Sequence, residues 1–181
     1  LALVNGSYAG VRMIAPPIKS GYLKIKKIGL LLNTTQALTV TVYDRSGTLL
    51  HTLNLNATAN QHTINTITPI TLPLYNDYLD YQEYYFMYQV AGFQPKNNGI
   101  YSCSACQKMH YGWMDWEHSS KHPWHSWVNV GGFNTPGVPD FMNGTASGTE
   151  QMNGMTFEVE LGCLVNEVFC KDQLDFDGNT L

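Results

Sequence analysis

Strict alternation of apolar and polar side chains over residues 38–43 constrains the fold more than any other feature. Leu38, Val40 and Val42 alternate with Thr39, Thr41 and Tyr43. This is the period of two that sends successive side chains to opposite faces of a strand. Asp44-Arg45-Ser46-Gly47 follows and supplies turn chemistry, because Asp bonds its own backbone and Gly tolerates positive φ. Residues 48–55 then read as the return strand of a hairpin, with Leu49, Leu53 and Leu55 on one face and His51 among them. A histidine in that position is expected to be half-buried rather than a ligand.

The same pattern recurs along the chain. Residues 22–32 read as one strand, nearly continuous in apolar side chains at its end. Residues 62–67 and 70–74 read as two short strands split by Pro69, which forces an edge or a bend because proline cannot donate to a ladder. Tyr84, Phe86, Tyr88 and Val90 mark a further alternating strand, preceded by an acidic loop or short helical turn over residues 77–83. Phe157, Val159 and Leu161 mark the last, running towards Cys163. Residues 1–20, with an Asn5-Gly6-Ser7 turn and Pro16-Pro17, are expected to form an extended N-terminal arm or edge segment. The tail over residues 171–181 is polar and acidic.

Strands bounded by turns, with no long amphipathic helix and no fixed repeat, predict an all-β antiparallel sandwich, jelly-roll-like, over residues 21–181. A lone sheet would leave one apolar face wet, so a second sheet must cover it. Residues 94–154 interrupt the pattern as a long irregular insertion rich in Trp, His and Cys. Within it only residues 100–103 and 126–130 suggest strands, and the Gly/Thr/Ser-rich stretch 143–153 reads as a mobile loop.

Charge narrows the function classes. Only 13% of the 181 residues are charged, about half the usual share, and the formal charge is −4. That sparseness fits either a surface covered by neighbouring subunits or a Thr/Asn-rich surface that solvates itself. No basic face of the kind nucleic-acid binding needs is present. The one basic cluster, Lys19, Lys24, Lys26 and Lys27, reads as the solvated face of a strand, with Lys24 and Lys26 on the same side. No apolar run reaches the roughly 18 residues of a transmembrane helix. The start lacks the charged and apolar regions of a signal peptide and lacks Met, which leads us to expect a trimmed or processed piece.

Three constellations could carry chemistry. Cys103 and Cys106 form a C-x-x-C, which lets two thiolates on one turn reach a tetrahedral metal. Cys163 and Cys170, a pair spaced more loosely than usual, would complete a structural zinc site, or His110 would join Cys103 and Cys106 in it. Disulfides among the four cysteines, in any of three pairings, and buried free thiols compete with that reading. A thioredoxin-type redox role does not fit, since no βαβ unit holds the motif. His118 and His122 stand four apart, but Pro123 and the lack of helical period argue against a metalloprotease helix. Trp113, Trp116, Trp124 and Trp127, joined by Tyr111 and Phe133, form the third group. They suit packing or a protein interface, and alternatively a sugar-binding platform. Residues 173–178 begin like a calcium loop, but Gln173 replaces the first Asp and the closing Glu is missing. Asn5, Asn33, Asn56 and Asn143 stand in N-x-S/T patterns, which matter only in a glycosylating host. No catalytic motif is found, and no enzymatic activity is expected.

Residues 21–32, Leu38-Thr-Val-Thr-Val-Tyr-Asp44, Tyr84-Tyr-Phe-Met-Tyr88, the C-x-x-C insertion, Phe157-Glu-Val-Glu-Leu161, Cys163 and Phe169-Cys170 together resemble virion structural proteins of tailed bacteriophages, in particular the crAss-like phages of Bacteroidetes. The resemblance covers most of the chain and implies a tail, head–tail connector or capsid-decoration protein. Expected partners are copies of itself and other virion proteins, with assembly in the host cytoplasm and no carried-over active site. The ending at Leu181 departs from that pattern and suggests a longer polypeptide. The alternative is an extracellular carbohydrate-binding or adhesion module that uses the tryptophans.

Overall fold

The structure is a computed structural model, and it describes residues 4–15, 21–73, 82–96, 129–136, 145–146 and 153–163. Nine strands make up the described fold: β1 (Tyr8–Ala15), β2 (Gly21–Leu30), β3 (Gln36–Asp44), β4 (Leu49–Ala57), β5 (Thr63–Pro73), β6 (Gln82–Gln89), β7 (Asn129–Thr135), β8 (Thr145–Ala146) and β9 (Met155–Cys163). They form a six-stranded sheet in the order β4-β3-β6-β1-β7-β8 and a three-stranded sheet in the order β5-β2-β9. Every pairing among these strands is antiparallel. The all-β sandwich expected from the alternation is the fold of the chain.

Alternation decides which faces meet. The six-stranded sheet contributes Ala9, Val11, Met13, Val40, Val42, Leu55, Tyr84, Phe86 and Tyr88 to the core. The three-stranded sheet answers with Leu23, Ile25, Ile28, Leu30, Ile70, Leu72 and Met155. Phe86 and Phe157 bridge the sheets edge to face, ring centroids 5.0 Å apart at 65°, an arrangement the ring quadrupole favours. In β2 the inward set shifts by one between Ile25 and Ile28. The ladders to β5 and β9 shift register at the same place, so Lys26 and Lys27 both escape the core.

The hairpin turn forms as its sequence suggests. Asp44 Oδ1 accepts from the Ser46 and Thr48 amides, each at 2.9 Å, while Gly47 takes a φ of 84°.

Several expectations need correction. Residues 8–15 are not part of an arm: β1 lies inside the larger sheet, paired with β6 on one side and β7 on the other. Its small residues Ala9 and Val11, separated by Gly10, offer little contrast between faces, but they fit a crowded sheet centre. The two short strands around Pro69 are one strand, β5. Its ladder jumps from Ile70 to Thr66 where β2 passes only from Ile25 to Lys27, which leaves Pro69 in the irregularity of an edge strand. The strand around Phe86 is buried on both faces, because Tyr85 and Met87 also pack, with Tyr8 and Tyr43, on the outer side. Within the expected insertion at 94–154, β7 and β8 belong to the larger sheet; of the stretch 143–153, Thr145 and Ala146 form β8, Asn153 is described, and the rest lies outside the described residues. Of the short strand suggested over 126–130, Asn129 and Val130 fall in β7, while residues 126–128, like residues 100–103, lie outside the described residues.

Candidate functional site

Most of the residues singled out in the sequence lie outside the described residues: Cys103, Cys106, His110, Tyr111, Trp113, Trp116, His118, His122, Trp124, Trp127 and Cys170, together with the tail over 171–181. Cys163 closes β9, opposite Gly21 of β2. The structure does show the platform from which residues 97–128, with all four tryptophans of the chain, depart and return.

The departure end is pinned by backbone and amide chemistry. The Lys96 amide donates to Leu31 O at 2.9 Å, and Leu32 bridges Pro95. The Asn33 amide donates to Gln94 O at 3.0 Å, and the Asn33 side chain accepts from the Gln94 amide at 2.7 Å. Gly154 O accepts from the Leu31 amide at 2.8 Å. A Cβ on Gly154 would overlap Leu31 O, and its φ of 69° is one that only glycine adopts without cost.

Asn153 completes this end. It also takes a positive φ, 46°, and is 4% exposed. Its side-chain nitrogen donates to Gly10 O at 2.8 Å and to Asn134 Oδ1 at 2.9 Å, while its backbone carbonyl accepts from the buried Tyr88 hydroxyl at 2.8 Å. One residue thus ties β1, β6 and β7 of one sheet to the start of β9 in the other. Burial pushes the Tyr88 hydroxyl pKa upwards. The sequence carries a signal for this site, an Asn-Gly pair directly before a strand, the commonest composition for two successive left-handed residues.

The return end lies elsewhere. Asn129 pairs with Ile14, at the far end of β1 from Tyr8. Tyr8 faces Gln89, and the Val90 amide donates to Ser7 O at 2.8 Å on the side from which residues 93–96 leave the sheet. Residue 96 is thus held beside the Leu31–Gly154 clip, and residue 129 at the Ile14 end of β1.

Two further clusters face solvent. On the outer side of the smaller sheet, Lys26 Nζ meets Glu160 at 2.5 Å and Lys27 Nζ meets Glu158 at 2.7 Å. The Lys26 hydrogen bond and charge hold the Glu160 carboxyl below the usual carboxylate range, and Glu160 raises Lys26 in return. Lys26 and Lys27, the part of the basic cluster that pairs across the ladder, thus sit on a face of matched ions. Beside it, His62 Nε2 and Thr156 Oγ1 approach to 2.6 Å over Gly29, where a Cβ would overlap both. Among the described residues no carboxylate orients that ring, so the pair lacks the third member of a nucleophile relay. No group of three or more His, Cys, Asp or Glu converges among the described residues.

No protein-family model, no curated protein and no solved structure matches this chain. The fold and the geometry of the platform define a class only: an antiparallel β-sandwich domain whose sequence carries an aromatic-rich stretch between two anchored ends.

Proposed function

We propose that the chain is a non-enzymatic structural protein of a phage virion, in the tail, the connector or the capsid decoration, acting through contacts between subunits. The observation that carries this reading is the division of labour along the chain. A sparsely charged sandwich, 13% charged overall, is locked by amide clips, while all four tryptophans are confined to residues 97–128 between the two anchors. Tryptophan and tyrosine are the residues that most often anchor protein interfaces, and a surface with few charges costs little to desolvate on assembly. Copies of the chain and other virion proteins are the partners in this reading.

The test is the double variant Trp124→Ala/Trp127→Ala, followed by electron microscopy of assemblies and by circular dichroism of the isolated chain. Assembly should be lost while the β signal stays unchanged. Full assembly by the variant sinks the reading. The tryptophan cluster also favours a second reading, a carbohydrate-binding or adhesion module, which predicts glycan-array binding that the same variant abolishes.

A further inference from the structure

A sandwich of two open sheets has four edge strands, and each exposes a row of backbone donors and acceptors that other chains can pair with. Among the described residues they are β4, β8, β5 and β9. Three of them are blunted by recognisable means. β8 is two residues long. β5 carries Pro69 and Pro73 and an irregular ladder. β9 carries Glu158 and Glu160, both held in ion pairs. β4, Leu-Leu-His-Thr-Leu-Asn-Leu-Asn-Ala, has no carboxylate, lysine, arginine or proline.

One end of β4 is already occupied. The Asn65 side chain accepts from the Asn56 amide at 2.8 Å and donates to Asn56 O at 2.9 Å. A carboxamide carries the same donor and acceptor as a peptide group, so Asn65 makes the rung that a neighbouring strand would make. Asn56 therefore points its backbone away from β3. By alternation along an unbroken register from Ala57 to His51, so do Asn54 and Thr52. At the other end the register shifts between Val42 and Tyr43, leaving Leu50 as the extra residue of a bulge. The free stretch is thus bounded by the clip at Asn56 and the bulge at Leu50. Exposed leucines flank it: Leu49 at 52% and Leu50 at 37%.

We propose that a second copy of this chain pairs there, β4 against β4 antiparallel about a two-fold axis through Thr52, joining the two larger sheets into one. The occupant follows from the residues. The stretch is self-complementary, because a two-fold at Thr52 sets Thr52 against Thr52 and Asn54 against Leu50. Neither pairing brings like charges together, and Thr–Thr pairs are favourable across antiparallel strands. A two-fold contact is also the commonest way for identical chains to associate. With so short a ladder the contact is weak by itself and gains strength only where many copies are held together. Its biological role rests on the assembly reading above; the contact itself does not.

The experiment is sedimentation equilibrium of the full chain under reducing conditions, with Thr52→Lys and Thr52→Glu beside the parent. Thr52 is exposed, so neither substitution disturbs the core. The parent should dimerise reversibly. Each variant alone should dissociate with a dimer Kd raised tenfold or more, since like charges then face each other. An equimolar mixture of the two should restore the dimer as a heterodimer. A parent that stays monomeric at every soluble concentration overturns the proposal. So does a dimer indifferent to Thr52→Lys, or capture of an extended segment of another protein in place of the second copy. The Trp124→Ala/Trp127→Ala variant separates the two ideas: if it assembles normally while Thr52→Lys does not dimerise, the β4 contact stands and the tryptophan interface falls.

Discussion

Asn153 shows how much one residue can hold. Its side chain reaches Gly10 O and Asn134 Oδ1, its carbonyl receives the Tyr88 hydroxyl, and its backbone sits at positive φ. Replacement by Ala takes the donor away from Gly10 O and Asn134 Oδ1. It also holds an alanine in the left-handed conformation, which asparagine tolerates better. The expected loss is about 2–4 kcal/mol, read by urea denaturation; a loss under about 0.5 kcal/mol would show that water takes over these bonds. Gly10 is the companion case. A Cβ there would overlap the Phe86 carbonyl oxygen, which is main chain in the middle of the larger sheet and has no room to yield. Gly10→Ala should cost about 3 kcal/mol or more, or yield insoluble protein, and a soluble variant with the parent's melting temperature would contradict the close approach.

At the scale of elements, the strand pairings respond to pH in a predictable direction. Burial raises the hydroxyl pKa of Tyr84 and Tyr85 on β6, and of Tyr88 beside them. The folded state therefore keeps these hydroxyls neutral after the unfolded chain has begun to ionise near its ordinary value of 10. Stability is fully present below that pH and should fall as the pH rises above it. The melting temperature measured from about pH 8 to about pH 11 should drop at the alkaline end, and Tyr84→Phe should shrink the drop. Glu160 runs the other way. Its lowered carboxyl stabilises the fold at neutral pH, and that contribution is lost as the pH falls through its folded-state value. Asn65 belongs to this scale too. Asn65→Ala removes the rung on Asn56 and frees one more pair of backbone groups on β4. The variant should be less stable by about 1–3 kcal/mol and should self-associate more readily than the parent in sedimentation; unchanged association would mean that the clip does not guard the edge.

At the scale of the whole molecule, the two proposals assign contact to separate parts of the chain, the β4 edge and the tryptophan-rich residues 97–128. The sandwich is held by apolar faces that meet between sheets and by amide clips at its corners, and the core formed by the described residues already joins both sheets. This is why the tryptophan variants are expected to leave the fold intact while changing what the molecule joins. The anchors at residues 96 and 129 fix where that segment begins and ends on the sandwich whatever it binds.

Period-two alternation is enough to read β2, the β3–β4 hairpin and β9 from the chain alone, because in those strands apolar and polar positions stand in clear contrast. Asp44 and Gly47 locate the hairpin turn for the same local reason: their turn chemistry is written in two residues. β1 escapes such a reading because an interior strand between two partners can be built from Ala, Gly and Val, with no strong contrast between faces. The unity of β5 escapes it because Pro69 breaks local propensity, and only a bulged ladder lets the strand run past it. The candidate site is legible as composition, in the confinement of tryptophan to one segment, but not as geometry. Strand identity and the sandwich class are thus local properties of the chain, since they follow from side-chain period and turn residues. The edge positions, the corners closed by Asn65 and Asn153, and the one edge left open are properties of the packed molecule, because each depends on groups brought together from distant parts of the chain.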